Sequence, residues 1–349
     1  MSKRDPNLDL LRALAIVLVV VFHTFNPRVP AGGLLDSLVQ LGPLGVDLFF
    51  VLSGFLIGRL YWREQSRFGN VDIPRFLGRR WLRTLPPYFG GLVLAYAAVY
   101  ASRREPFDWR YLVFLQNYAF PFPAYFSVSW SLCVEEHFYI ALPLLLYLTR
   151  RLPRFEKPLA IAACTAPLLL RLASVWTGDP LAHGYYQTAT HLNADGMALG
   201  VVLSAICVRS PPAWARLQAL ARRYAAAAVA VGTLLWMLNG TPRYVLEPFL
   251  AAIAWGWLLT AVADMPSTRF ARSKMVYALA ATSYSVYLTH ALALHLAERL
   301  ESRAGITKSA VVCLLIIPAL IATAGAGFYL TVERPAIQAR DRLVGRRTI

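Results

Sequence analysis

The chain has 349 residues, of which 57% are hydrophobic and only 15% charged, where a soluble domain averages about 25% charged. Mean hydropathy is +0.48 and the isoelectric point is near 10.0. This composition excludes an ordinary soluble enzyme, and the net charge of +16 says nothing about nucleic acid until its location is known.

Ten apolar segments can be marked, at 8–25, 43–62, 86–101, 129–149, 158–176, 188–208, 224–239, 245–263, 276–297 and 310–331. Each approaches the ~20 residues that cross a bilayer core as a helix. The loops on the N-terminal side carry 24 Lys and Arg, among them the arginines of 63–83, and the opposite loops carry 8. That asymmetry is the positive-inside signature. The expected fold is therefore an all-α polytopic membrane helical bundle of about ten transmembrane helices with both termini cytoplasmic. The basic charge is explained by topology, with no nucleic-acid partner. The chain is expected to form one integral-membrane domain over 1–349, with no fused soluble domain. Its first apolar run is interrupted by Arg12 and lacks the cleavage site of a signal peptide. Cys133, Cys164, Cys207 and Cys313 are far apart and form no CxxC pair, which argues against a disulfide framework or a zinc site.

The first segment, LDLLRALAIVLVVVFHTF, holds Arg12 and His23. Ionisable residues inside a span are costly and are functional candidates by default. On a helix the two stand roughly 16 Å apart along the axis, which suits a charged handle near one face and a proton-handling group deep in the bilayer. A snorkelling Arg and a His bonded to a neighbouring helix explain either residue alone equally well. Asp9 lies one turn before Arg12 and can hold its guanidinium. The second segment begins GVDLFFVLSGFLIG; Asp47 opens it, and Ser53-Gly54 permits close helix approach.

Residues 63–85 form a basic connection. Pro74 can open a helix there, on which Arg75, Arg79, Arg80 and Arg83 recur at three- and four-residue spacing. Such a face anchors on anionic headgroups, the commoner use, or grips a polyphosphate ligand through bidentate guanidinium forks. The opposite connection, 102–128, is rich in aromatic residues, and Pro106, Pro121 and Pro123 prevent a long helix. It fits a sugar platform and, more cheaply, an interfacial aromatic belt.

Polar groups also interrupt the later segments. Trp130, Ser131, Glu135, Glu136 and His137 lie in VSWSLCVEEHFYIALP, in the outward half of their span. His191 and Asp195 begin the sixth segment, Tyr284, Tyr287 and His290 fall in the ninth, and Glu333 lies in TVERP. Adjacent Glu135 and Glu136 point about 100° apart. Glu135 is expected to face a cavity, in a stripe with Ser131 and Tyr139, while Glu136 aligns with Leu132 and Ile140. A dozen such groups on several spans imply a polar cavity through the membrane, as a transferase or a proton-coupled transporter requires.

In this order, DLLRALAIVLVVVFH, GVDLFFVLSGFLIG, RFLGRRWLRTLPPYF, SWSLCVEEHFYIALP, ADGMALG, TSYSVYLTH and TVERP resemble the integral-membrane acyltransferase-3 family. Its members are O-acyltransferases of cell-surface glycans, peptidoglycan, Nod factors and macrolides. The resemblance covers nearly the whole chain, and His137 departs from it where Gln is expected. It implies a membrane O-acyltransferase moving an acyl group, most simply acetyl, from cytoplasmic acyl-CoA to a hydroxyl of a glycan or glycolipid in the cell (inner) membrane. Catalytic roles are implied for His23, Arg12, Glu135 and Glu136, and donor binding for Arg12, Arg79, Arg80 and Arg83. Supporting cavity positions are Asp9, Asp47, Ser53, Trp130, Ser131, Asp195, Tyr284, His290 and Glu333. Imidazole suits base or acyl-carrier chemistry near neutral pH. No permanently bound cofactor or metal is expected; acyl-CoA is a co-substrate. Expected partners are the acceptor, membrane lipids, and either further copies of the chain or a separate extracytoplasmic transferase. The competing reading is a proton-coupled secondary transporter or lipid-linked sugar exporter. Its paired, broken inverted halves are not visible in the sequence.

Overall fold

The computed structural model describes residues 4–30, 32–104, 106–119, 122, 124–177, 188–226, 230–232, 241–304 and 311–345, and no strand occurs among them. The apolar segment 224–239 lies mostly outside the described residues. Thirteen α-helices are numbered in chain order: α1 Pro6–Phe25, α2 Leu34–Val39, α3 Leu44–Phe68, α4 Ile73–Arg103, α5 Trp130–Arg151, α6 Glu156–Trp176, α7 Thr190–Asn193, α8 Asp195–Arg209, α9 Pro211–Arg223, α10 Thr241–Val262, α11 Lys274–Ala304, α12 Ile317–Phe328 and α13 Arg334–Leu343. Among the described residues, six helices are long and apolar enough to cross a membrane, within Pro6–Phe25, Leu34–Phe68, Tyr125–Arg151, Pro153–Trp176, Arg243–Val262 and Val312–Leu343. The 86–101 and 276–297 segments lie in α4 and α11, each 31 residues long; they hold no charged residue, and tyrosines with prolines and glycines in the first, or with Ser, Thr and His in the second, lower their hydropathy.

Helix starts follow local chemistry. Asp5 caps α1 by accepting from the Asn7 amide at 2.9 Å, with Pro6 in the first turn. Asp72 accepts from the Arg75 amide at 3.2 Å ahead of Pro74, so the basic connection divides between the end of α3, up to Phe68, and the first half of α4. A Pro86-Pro87 pair follows inside the same helix. Segment 102–128 forms no long helix; it folds as short 3₁₀ turns at Trp109–Leu112, Gln116–Tyr118 and Ala124–Ser129. One side of these turns packs into the bundle, with Tyr111, Gln116, Asn117 and Ser129 fully buried, while Trp109, Leu112, Val113, Leu115 and Tyr118 are exposed. Irregular backbone is tolerated at membrane depth only when protein covers it.

Close packing is set by small residues. A Cβ on Gly200 of α8 would lie 2.6 Å from the Phe55 amide nitrogen of α3, and one on Gly54 would collide with the Met197 carbonyl. Only glycine permits that approach. Near the C-terminus, wide π turns at Val312–Ile316 and Tyr329–Glu333 flank α12. The second leaves the Glu333 side chain buried against α11.

Candidate functional site

A narrow cavity of about 90 Å³ opens where α1, α3, α4, α5 and α11 meet. Space of this size suits a thin chain or several waters. Its polar lining is Arg12 from α1, Ser53 from α3, Arg80, Arg83 and Thr84 from α4, Ser131 and Glu135 from α5, and Ser283, Tyr284 and Tyr287 from α11. Three guanidinium groups face one carboxylate, so the cavity favours an anionic guest.

The glutamates divide as adjacent helical positions must. Glu135 accepts from Ser53 Oγ at 2.9 Å and from the Tyr139 hydroxyl at 2.6 Å, and lies 3.6 Å from Arg80. Arg80 also donates to the Tyr139 hydroxyl and covers its ring, 4.1 Å from the centroid. Glu136 turns away, accepting from Trp81 Nε1 at 3.0 Å and Thr84 Oγ1 at 2.9 Å. Both carboxylates stand beside the basic helix α4.

Arg12 is held by Asp9 at 3.4 Å, and Asp9 is shared with Arg4. Arg83 makes no hydrogen bond or ion pair among the described residues and points its donors into the cavity. Arg79 goes elsewhere. It pairs with Asp341 at 3.2 Å and donates to the Gly345 carbonyl at 2.9 Å, binding the segment after α13, as does Arg75. The arginine face therefore splits into a cavity pair, Arg80 and Arg83, and a docking pair, Arg75 and Arg79.

His23 lies outside the cavity lining, further along α1. Its ring contacts His290 of α11, with centroids 4.8 Å apart and planes at 67°. Tyr287 stands between: it lines the cavity, bonds Ser131 Oγ through its hydroxyl at 2.6 Å, and has its ring 5.7 Å from His290. Phe49 packs edge-on against Tyr287 at 6.1 Å. An aromatic wall thus separates the arginine cavity from the histidine pair.

Of the other expected positions, Tyr284 lines the cavity and the rest lie in the scaffold around it. Trp130 packs edge-on against Phe50 at 5.9 Å. Glu333 accepts from Ser285 Oγ at 2.5 Å, and Tyr284 donates to the Thr84 carbonyl at 3.0 Å. Asp195 pairs at 2.8 Å with Arg171, which is fully buried and also donates to the Val245 and Leu192 carbonyls. Asp47 is close enough to feel the charges of Asp195, Arg171 and Glu247 and belongs to that second cluster. His191 is exposed, stacked on Tyr118, apart from Asp195. His137 bonds Thr190 Oγ1 at 2.7 Å and ties α5 to α7. At the loop, the Asp108 carboxyl is held below the usual carboxylate range by hydrogen bonds from Arg110. Among the described residues, no three His, Cys, Asp or Glu side chains gather to hold a metal.

A family model described as an acyltransferase domain matches residues 5–331; the chain belongs to the acyltransferase-3 family. It is similar to the O-acetyltransferase OatA of Staphylococcus aureus strain NCTC 8325, 27% identical over 318 residues, which cover 82% of this chain and 50% of that protein. A putative O-acetyltransferase of S. aureus strain COL is 30% identical over 158 residues, 40% of this chain and 24% of that protein. The chain thus spans at most about half the length of these relatives. No solved structure matches.

Proposed function

We propose that this chain is a membrane O-acyltransferase that moves an acetyl group from cytoplasmic acetyl-CoA to a hydroxyl of a cell-surface glycan or glycolipid. Ten spans, with both termini in the cytoplasm of the inner membrane, put Arg80 and Arg83 on the donor side and His23 toward the acceptor. The observation that carries this reading is the alignment of a cationic cavity with a histidine pair across a single aromatic wall. The family and the printed names of its relatives point the same way.

The nucleotide stays outside a cavity of about 90 Å³, its phosphates near Arg80 and Arg83, while the slim acyl-bearing arm threads inward. Guanidinium groups match phosphate oxygens bidentately. The thioester passes Tyr287 and reaches His23, whose imidazole is suited to act as base or acyl carrier. Ser53, Tyr139 and Glu135 fix Arg80 and so shape the cavity. The acceptor meets His23 from the other side, beneath the aromatic 109–129 turns. A separate extracytoplasmic transferase would be needed only if the acceptor cannot reach that side.

The test is mass spectrometry of surface glycans from cells with and without the protein, alongside transfer from labelled acetyl-CoA in membranes containing it. Acetyl-CoA-dependent label in a glycan fraction that is lost with the protein is the expected result. Unchanged acetylation together with no use of acetyl-CoA overturns the reading.

A further inference from the structure

The hydrogen-bond pattern of the histidine pair fixes both tautomers. His23 Nδ1 is 2.9 Å from the Val19 carbonyl oxygen, and His290 Nδ1 is 2.7 Å from the Tyr287 carbonyl oxygen. A carbonyl can only accept, so each Nδ1 carries its proton and each Nε2 presents a bare lone pair. His290 is fully buried, and its Nε2 has no partner among the described residues. An unpaired polar atom so deep is costly, and nothing in the surrounding scaffold uses it. Its ring touches the one side chain assigned to the chemistry.

We infer that the two imidazoles divide the labour of the proposed transfer: His23 Nε2 carries the acyl group and His290 Nε2 takes the proton of the acceptor hydroxyl. The inference rests on the O-acyltransferase reading and deepens it. In the first step His23 Nε2 attacks the thioester carbonyl; the C–N bond forms, the C–S bond breaks and the coenzyme A thiolate leaves. Nδ1 keeps its proton and donates it to the Val19 carbonyl throughout, so the acylated ring is a cation that balances the thiolate. In the second step the acceptor oxygen bonds the acyl carbon, the C–N bond breaks, and its electron pair returns to His23. The hydroxyl proton goes to His290 Nε2 and finally neutralises the thiolate, so thioester plus alcohol becomes thiol plus ester. One imidazole cannot do both tasks at once, because its only bare nitrogen is occupied by the acyl group.

The surroundings favour this division. Among the described residues, the titratable side chains in ring contact with His290 are His23 from α1 and Tyr287 from its own helix. α12 presents Ile317 and Ile321 in the shared apolar cluster. Further along, Arg28 pairs with Glu298 and Glu301 at 3.7 and 3.5 Å. A dry setting of this kind also protects an acyl-imidazole from hydrolysis.

The experiment compares the full-length wild type with His290→Asn and His290→Ala in detergent, each first checked for normal size-exclusion elution. Acetyl-CoA is the donor, with octyl glucoside as a hydroxyl acceptor and hydroxylamine as a nucleophile that needs no base. For both variants we expect one burst of coenzyme A release, an acetyl adduct on His23 by peptide mass spectrometry, and retained transfer to hydroxylamine. Transfer to the glucoside should fall about 10²–10⁴-fold, the usual contribution of a positioned base. The wild-type fall in rate at acid pH should disappear from what activity remains. Variants with wild-type glucoside transfer and pH profile overturn the inference, as does loss of the coenzyme A burst together with transfer. A wild type that neither releases coenzyme A nor transfers acetyl to either nucleophile overturns the O-acyltransferase reading itself.

Discussion

Adjacent positions on a helix diverge by about 100°, and Glu135 and Glu136 follow that divergence into different surroundings. Glu135 meets Ser53, Tyr139 and Arg80 at the cavity wall, whereas Glu136 ties α5 to Trp81 and Thr84 of α4. Glu135→Gln removes the charge that fixes Arg80 and should lower acyl transfer about 10²–10³-fold, the range for losing one preorganised electrostatic contact. Glu136→Gln should lower it less and instead destabilise the fold by about 1–3 kcal/mol, because one amide face is left without a partner. Glycan acetylation assays and thermal unfolding of the two variants decide the matter; a larger catalytic loss at Glu136 would reverse the roles. The Glu135 stripe was legible because Ser131 and Tyr139 share its helical face. Arg171 was passed over, although an arginine inside the 158–176 segment is the same signal that singled out Arg12.

Between elements, glycine contacts and one buried ion pair set the geometry. α3 and α8 approach so closely at Gly54 and Gly200 that Gly200→Leu should cost about 1–3 kcal/mol or more through overpacking, read as a lower unfolding temperature in micelles. Arg171 joins α6 to the start of α8 through Asp195 and to α10 through the Val245 carbonyl. Removing one partner of such a pair leaves an uncompensated charge and costs about 3–5 kcal/mol. Arg171→Met should therefore lower stability sharply, and Arg171→Met with Asp195→Leu should regain much of the loss; equal stability of the single variant and the wild type would contradict this. Apolar segments and proline positions made α1, α3, α5 and α6 readable as spans. Which residues of the turns before α5 are buried, Tyr111, Gln116, Asn117 and Ser129, was not readable. Aromatic residues with prolines describe an interfacial belt and a buried turn equally well, and only tertiary packing separates the two.

Across the whole molecule, charge is arranged along one axis, from Arg75 and Arg79 at the C-terminal segment, through Arg80 and Arg83, to Arg12 in the cavity. Sequence periodicity put the arginines of α4 on one face, and it could not show that Asp341 and the Gly345 carbonyl lie over half of that face, because those partners are more than 250 residues away. The split leads to a directional expectation. If Arg80 and Arg83 bind the donor's phosphates as proposed, Arg83→Gln, which disturbs no ion pair among the described residues, should raise the KM for acetyl-CoA about tenfold or more with kcat little changed, the pattern of lost uniform binding. Arg80→Gln should raise KM and also lower kcat, because Glu135 and Tyr139 lose their partner. Arg79→Gln should leave donor KM near the wild-type value and free the C-terminal segment, seen as faster proteolysis after residue 334 in sealed inverted vesicles. Initial rates against acetyl-CoA concentration for the three variants, run at two salt concentrations, give the answer. A KM increase at Arg79 equal to that at Arg83 would make the whole face a donor surface, and no increase at any of the three would return α4 to the role of a headgroup anchor.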